Sequence, residues 1–220
     1  MKITDIRTIV VGNPWKNWVF VIVETSDGIS GLGEATGGLS TMPNKEAVEE
    51  IKHLAIGKNP LEISNIVDEL YKAVMLKITP AISAIEIACW DILGQHLKVP
   101  IHQLLGGKVR DKIKVYANGW YSGERSPENF GEKAQFLSNK GYQALKFDPF
   151  GSEHLRLNKE SEIFTKNIIR SVRDAVGPNV ELMIEGHKRF NTVEAIKIAN
   201  WLNEFDVTWF EDPIDNNDID

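Results

Sequence analysis

Cysteine is nearly absent from this chain: Cys89 is the only one in 220 residues, so no intrachain disulfide can form. It lies in an apolar helix pattern and reads as a buried, inert thiol. Long hydrophobic runs are missing as well. None approaches the roughly 20 residues a membrane helix needs. Lys2 is followed at once by an alternating strand pattern, not by the apolar core of a signal peptide. These absences point to the cytoplasm and to no membrane association. Basic side chains are outnumbered, 25 Lys and Arg against 31 Asp and Glu, for a net charge of -6 and a pI near 5.5. That balance argues against nucleic acid as a partner. It leaves room for an anionic small molecule, because local cations override the global sign. A phosphate-cradling glycine loop is also missing. Gly31-x-Gly33 with Gly37 and Gly38 lacks a correctly placed third glycine and sits in an antiparallel pattern, which excludes a dinucleotide fingerprint.

What is present has two rhythms. Residues 2–11 and 18–25 alternate as strands, with Val19, Val21 and Val23 on one face. Ser26-Asp27-Gly28 supplies turn chemistry, and Ile29 to Glu34 returns as a third strand of an antiparallel meander. From Asn44 the period becomes helical: residues 44–56, 61–76 and a helix from Thr79-Pro80 to about Leu97. Thr79 is the expected cap of that last helix. Its apolar face is Ile82, Ile85, Ala88, Cys89, Ile92 and Leu93. After Gly106-Gly107 and a charged connector the chain alternates strand and helix. Strands are expected at Val115–Gly119, Ala144–Asp148, Val180–Glu185 and Val207–Glu211. Helices are expected from Ser126-Pro127 to Asn139, from Asn158 to Val176 and after Asn191, where Glu194 completes a capping-box spacing. Such alternation predicts a parallel sheet. The fold expected is an α+β domain over residues 1–112, followed over residues 113–220 by an incomplete (β/α) barrel of about four of eight strands. The stretch from Ile113 to Asp220 is less than half of the about 250 residues of a closed eight-unit barrel.

Three consecutive strands end abruptly in charge: Leu145-Lys146-Phe147-Asp148, Ile184-Glu185-Gly186-His187 and Phe210-Glu211-Asp212-Pro213. In a parallel barrel the reactive groups stand at the C-terminal strand tips. Strand alternation puts Lys146 with Asp148 and Glu185 with His187. Any one of these alone reads as a solvated loop residue, and Asp212-Pro213 as turn chemistry. Together they read as a site. Converging carboxylates need neutralising, and oxygen-only ligands favour a hard ion such as Mg2+, with Glu185 and Glu211 as ligands. Lys146 suits an anionic substrate and the charge that develops when a proton leaves the adjacent carbon. His187 is placed to deliver a proton to a leaving hydroxyl. His53, His96 and His102 have no ligand spacing and read as structural or surface residues.

These segments resemble the enolase superfamily, in its mandelate racemase and muconate lactonizing enzyme branch, over essentially the whole chain. Ile82 to Gly107 resembles the branch signature that ends the capping domain, and Gly28 to Ala35 its early hairpin. Val115 to Tyr121, Ala144 to Phe150 and Ile184 to Asn191 are most similar to sugar-acid dehydratases of the gluconate and galactonate type. The resemblance implies that Glu185 and Glu211 are two of three magnesium ligands and that Lys146 lies near the substrate carboxylate. It implies that His187 expels the β-hydroxyl and that the capping domain closes over the sugar acid. Residues 13–17 (NPWKN) would be the contacting loop, with Trp15 and Lys16, and then Lys146 and Asp148, as substrate-binding residues. Asp148 stands where racemases carry a second lysine, which favours dehydration through an enediolate. Later barrel strands would carry the third ligand and the base, so the chain reads as C-terminally truncated and, by itself, inactive. The full-length enzyme would be a homo-oligomer. Two alternatives stay open: a non-catalytic fragment or interaction subunit, and an epimerase or cycloisomerase of the same superfamily.

Overall fold

The computed structural model describes residues 1–12, 16–38, 40–74 and 78–215, which divide into two compact units, Met1–Asp111 and Lys112–Asp220.

In the first unit the alternating segments pair as an antiparallel meander: β1 (Ile3–Gly12), β2 (Asn17–Thr25) and β3 (Ser30–Glu34), in that order. Val19, Val21 and Val23 are fully buried on one face of β2, as period-two burial requires. Helices α1 (Thr41–Ile51) and α2 (Ile63–Ala73) bury one apolar stripe each, Ala47, Val48 and Ile51 on the first and Ile63, Ile66 and Leu70 on the second. Helix α3 (Thr79–Leu97) carries Ile82, Ile85, Ala88, Cys89 and Ile92 into the same core, all without solvent exposure. Its first helical residue is Thr79 itself. The cap position falls on Ile78, and no side chain caps it. Pro80 within the first turn is enough to set the helical φ there. A short helix α4 (Ile101–Leu104) follows.

The glycines of β3 are explained by packing. A Cβ on Gly31 would stand 2.0 Å from the carbonyl oxygen of Ala88, and one on Gly33 would stand 1.9 Å from that of Ala84. The strand therefore lies directly on the backbone of α3. Asp91 accepts from Leu32 N–H at 2.9 Å and Gln95 donates to Ser30 C=O at 2.8 Å, which satisfies the edge of β3 from α3.

The second unit is a βα array. Strands β4 (Ala144–Phe147), β5 (Glu181–Glu185) and β6 (Val207–Glu211) pair in parallel in chain order. Helix α5 (Pro127–Asn139) precedes β4, α6 (Lys159–Val176) joins β4 to β5, and α7 (Thr192–Leu202) joins β5 to β6. Each of these helices has a side-chain cap. Ser126 accepts from Asn129 N–H, Asn158 from Ser161 N–H and Asn191 from Glu194 N–H. At Asn191 the backbone N–H goes to Leu155 C=O, so the reciprocal half of the capping box is replaced by a loop contact. All four residues of β4 are buried, as expected for a strand covered on both faces.

Where four strands were expected, the described sheet has three. Residues 115–119 contribute a single parallel bridge, Ala117 with Leu145, held by Ala117 N–H to Ala144 C=O and Lys146 N–H to Ala117 C=O, both 2.9 Å. Val115 and Tyr116 are exposed and bury nothing that would extend the pairing. Gly119 then turns at a positive φ of 70°.

Candidate active site at the strand tips

Lys146 is the charged residue of a strand that is otherwise Ala, Leu and Phe. Its side chain is 6% exposed and its Nζ donates to Glu185 Oε2, a residue 10% exposed on the neighbouring strand. Glu211 Oε1, on the strand after that, lies 3.1 Å from the same nitrogen. Glu185 and Glu211 are paired positions in the β5–β6 register, so two carboxylates from adjacent strands converge on one ammonium. Isolated, each of these charges would be costly to bury; together they compensate one another. Burial pulls the Lys146 pKa down, but the hydrogen bonds and charges of Glu185 and Glu211 outweigh it and hold the pKa above the ordinary lysine value. The remaining oxygens are engaged too. Glu185 Oε1 accepts from His187 N–H at 2.9 Å and Glu211 Oε2 accepts from the Trp209 indole at 3.0 Å.

His187 lies beyond the end of β5, so strand alternation does not place it. It adopts a left-handed backbone (φ 50°), as do Lys188 (φ 58°) and, after β6, Asp212 (φ 40°). Three such residues at neighbouring strand tips are the kind of local strain that clusters at functional sites. Main-chain bonds hold the turn. Gly186 N–H donates to Glu211 C=O at 2.8 Å, Lys188 N–H to Asp212 C=O at 2.6 Å, and Phe190 N–H to Pro213 C=O at 3.1 Å. Gly186 is required by this closeness, because a Cβ there would come within 2.9 Å of Asp212 O and Pro213 Cα.

The imidazole of His187 is 55% exposed, and its Nδ1 lies 2.9 Å from Asp148 Oδ2. Asp148 is 11% exposed and its Oδ1 accepts from Phe150 N–H at 2.9 Å. Arg189 was not singled out by sequence reasoning. It sits inside the group, with its guanidinium donating to Asp148 Oδ2, to Gly151 C=O and, at 3.2 Å, to Gly186 C=O. The available signal was the spacing of 185, 187 and 189. Tyr121 is a second omission. Burial raises its phenol pKa, and the Asp148 carboxylate adds to the effect. Its ring stacks on Phe130, in a cluster that also contains Trp120 and Phe147.

The structure thus gathers Lys146, Glu185 and Glu211 into one ion cluster and His187 with Asp148 into an adjacent one, the two linked through Glu185 and the His187 backbone. Lys16 belongs to the first unit, where it precedes β2. Trp15 lies outside the described residues. The donor chemistry of Glu185 and Glu211 fits a hard, oxygen-preferring dication as part of a ligand set. Among the described residues no three His, Cys, Asp or Glu side chains are grouped to hold a metal by themselves. No helix among them is long and apolar enough to cross a membrane.

Comparison with known proteins gives the family of both units. Residues 6–106 match the N-terminal domain of mandelate racemase / muconate lactonizing enzyme, and residues 129–220 match the enolase C-terminal domain-like family. A D-gluconate dehydratase of Thermoproteus tenax is 39% identical over 212 residues, covering 94% of this chain and 43% of that protein. A D-gluconate/D-galactonate dehydratase of Picrophilus torridus is 36% identical over 208 residues, covering 92% of this chain and 53% of that protein. A D-galactarolactone cycloisomerase of Agrobacterium fabrum is also related, at 32% identity over 244 residues, covering 100% of this chain and 61% of that protein. A solved member of the enolase superfamily from Salmonella Typhimurium superposes with a TM-score of 0.91 at 27% identity, over 97% of this chain and 62% of that one. The chain spans about half the length of the curated relatives it matches. It has the enolase-superfamily fold, an N-terminal domain followed by part of the C-terminal barrel domain, and it belongs to the mandelate racemase and muconate lactonizing enzyme branch of that superfamily.

Proposed function

We propose that this chain carries part of the active site of an acid-sugar dehydratase, which removes water from an aldonic acid to give a 2-keto-3-deoxy acid. One observation carries the reading: Glu185 and Glu211 converge on Lys146 beside a histidine anchored by Asp148. The kinship to sugar-acid dehydratases supports it.

The substrate carboxylate is an anion, and Lys146, held protonated, attracts it. Loss of the α-proton gives an enediolate, and the ammonium of Lys146 shares the added charge. His187, half exposed at its strand tip, acts as the imidazolium: its Nδ1–H stays on Asp148 while Nε2 gives its proton to the departing β-hydroxyl, which leaves the neutral ring. Asp148, bound to His187 and Arg189, is proposed to border the substrate beside Lys146. Glu185 and Glu211 would hold magnesium, which when bound supplies positive charge to the substrate carboxylate. Lys16 and Trp15 are proposed as contacts to the far end of the sugar acid. The setting is a cytoplasmic, homo-oligomeric enzyme, and the 220-residue chain alone is proposed to be inactive.

The test is a screen of aldonic acids, D-gluconate first, for magnesium-dependent 2-keto acid formation by a protein form that turns over, with His187→Asn beside it. Loss of dehydration with magnesium affinity retained is the expected result. Full turnover by His187→Asn would remove the role given to His187. The cycloisomerase relative motivates a second reading. Conversion of a sugar lactone without loss of water, with aldonic acids untouched, would favour it over dehydration.

A further inference from the structure

We infer that Arg189 is a positioning residue: it locks Asp148 so that the carboxylate takes the Nδ1 proton side of His187 and leaves Nε2 as the nitrogen that exchanges a proton with substrate. Two contacts on Nδ1 compete. Asp148 Oδ2 lies 2.9 Å away and Arg189 Nη2 lies 3.1 Å away. A guanidinium has only donors and an ionised carboxylate only acceptors, so one ring nitrogen cannot satisfy both. A bare Nδ1 would press its lone pair against a carboxylate oxygen over the shorter of the two distances. A protonated Nδ1 donates to that oxygen, and Arg189 Nη2 gives one of its two protons to the same Oδ2. The arginine fork is occupied on every arm: Nη2 on Asp148, Nη1 on Gly151 C=O and Nε on Gly186 C=O at 3.2 Å. Asp148 Oδ1 is meanwhile held by Phe150 N–H at 2.9 Å. The carboxylate therefore has one orientation, and through it the ring has one tautomer. A lysine would supply the charge without the planar fork.

The catalytic meaning of this inference rests on the role proposed for His187. Its test involves no turnover, so the two can fail separately. The 220-residue chain, labelled with 15N-histidine, is examined by long-range proton–nitrogen correlation, which separates Nδ1–H from Nε2–H imidazoles, and His187→Asn identifies the resonance. With the pH raised until the ring is neutral, wild type is expected to show the Nδ1–H form at His187. A folded Arg189→Gln, verified by an amide spectrum unchanged away from residues 148–190, is expected to lose that preference. Lys188→Gln, one residue away, is expected to keep it. An Nε2–H imidazole in wild type, or an unaltered Nδ1–H form in folded Arg189→Gln, overturns the inference. Should Arg189→Gln not fold, Arg189→Lys decides: loss of the preference supports the fork, and retention overturns it.

Discussion

Glu185 and Glu211 face one another across the β5–β6 register, and both carboxylates address a single nitrogen, Lys146 Nζ. The arrangement makes Lys146 the counter-charge of the site, and its removal the most informative single change.

Lys146→Met is expected to destabilise the second unit by about 3–5 kcal/mol, because it leaves the Glu185 carboxylate buried and unpaired. Urea unfolding of the two proteins measures this. The pH dependence has a defined sign. The folded-state pKa of Lys146 lies above its ordinary value of 10.5, so the stabilisation is complete below that pH and fades as pH rises through the folded value. The wild-type advantage over Lys146→Met should therefore be flat across neutral pH and shrink only above about pH 10.5. An advantage already lost near neutrality would contradict the sign.

Magnesium should raise the melting temperature of the chain modestly, since Glu185 and Glu211 offer only part of a ligand set. Glu185→Gln should abolish the response. In Lys146→Met the response should grow, because the dication no longer competes with the ammonium. Thermal unfolding with and without magnesium checks all three, and an equal response in Glu185→Gln would exclude this carboxylate as a ligand.

Gly33→Ala is expected to be among the most damaging small changes in the first unit. The added methyl would lie 1.9 Å from the Ala84 carbonyl oxygen, a backbone atom that cannot step aside. Overpacking of this kind costs about 3 kcal/mol or more. Gly57→Ala meets nothing within 4 Å and suffers only from its positive φ of 84°, so about 1 kcal/mol is expected. Comparable losses for the two would refute the close packing of β3 on α3.

Cys89 provides a probe of the first unit. Its side chain is fully buried, and burial pushes its pKa up to about 12 from 9.0. Alkylation at neutral pH should therefore be slow and should accelerate with urea in step with opening of the core around α3. Because the folded thiol holds its proton more tightly, stability should also fall as pH rises from 9.0 towards about 12. Rapid labelling of the native chain at neutral pH would show that the α3 core is open.

Much of the architecture was legible in the chain because the responsible forces are local. The valine alternation of β2, the apolar stripe of α3 and the caps at Ser126 and Asn191 all recur in the structure, while Asn158, expected as the first helical residue, is the cap of α6. The failures have physical causes. Residues 115–119 have strand-forming side chains, but only Ala117 gains partners. Residue type makes Thr79 a cap, whereas the helix begins on it. The meeting of Lys146, Glu185 and Glu211 follows from strand register, which alternation anticipates. The placement of His187 does not. Beyond Glu185 the chain leaves the strand, and the ring is set by a left-handed turn and by Asp148. For Arg189 the spacing of 185, 187 and 189 is the one local hint, because its partners, the Asp148 carboxylate and two loop carbonyls, are set by the fold.

The turn carrying His187 is secured through Gly186, Lys188 and Phe190, whose amides bind the carbonyls of Glu211 at the end of β6 and of Asp212 and Pro213 beyond it, so the path of the backbone there owes little to which side chain stands at 187. Evolution can exchange the reagent without rebuilding its mount. The left-handed φ limits the choice mainly to residues such as histidine, asparagine, aspartate and glycine. A scaffold of this kind can change the side chain at 187 while the surrounding main chain keeps its course.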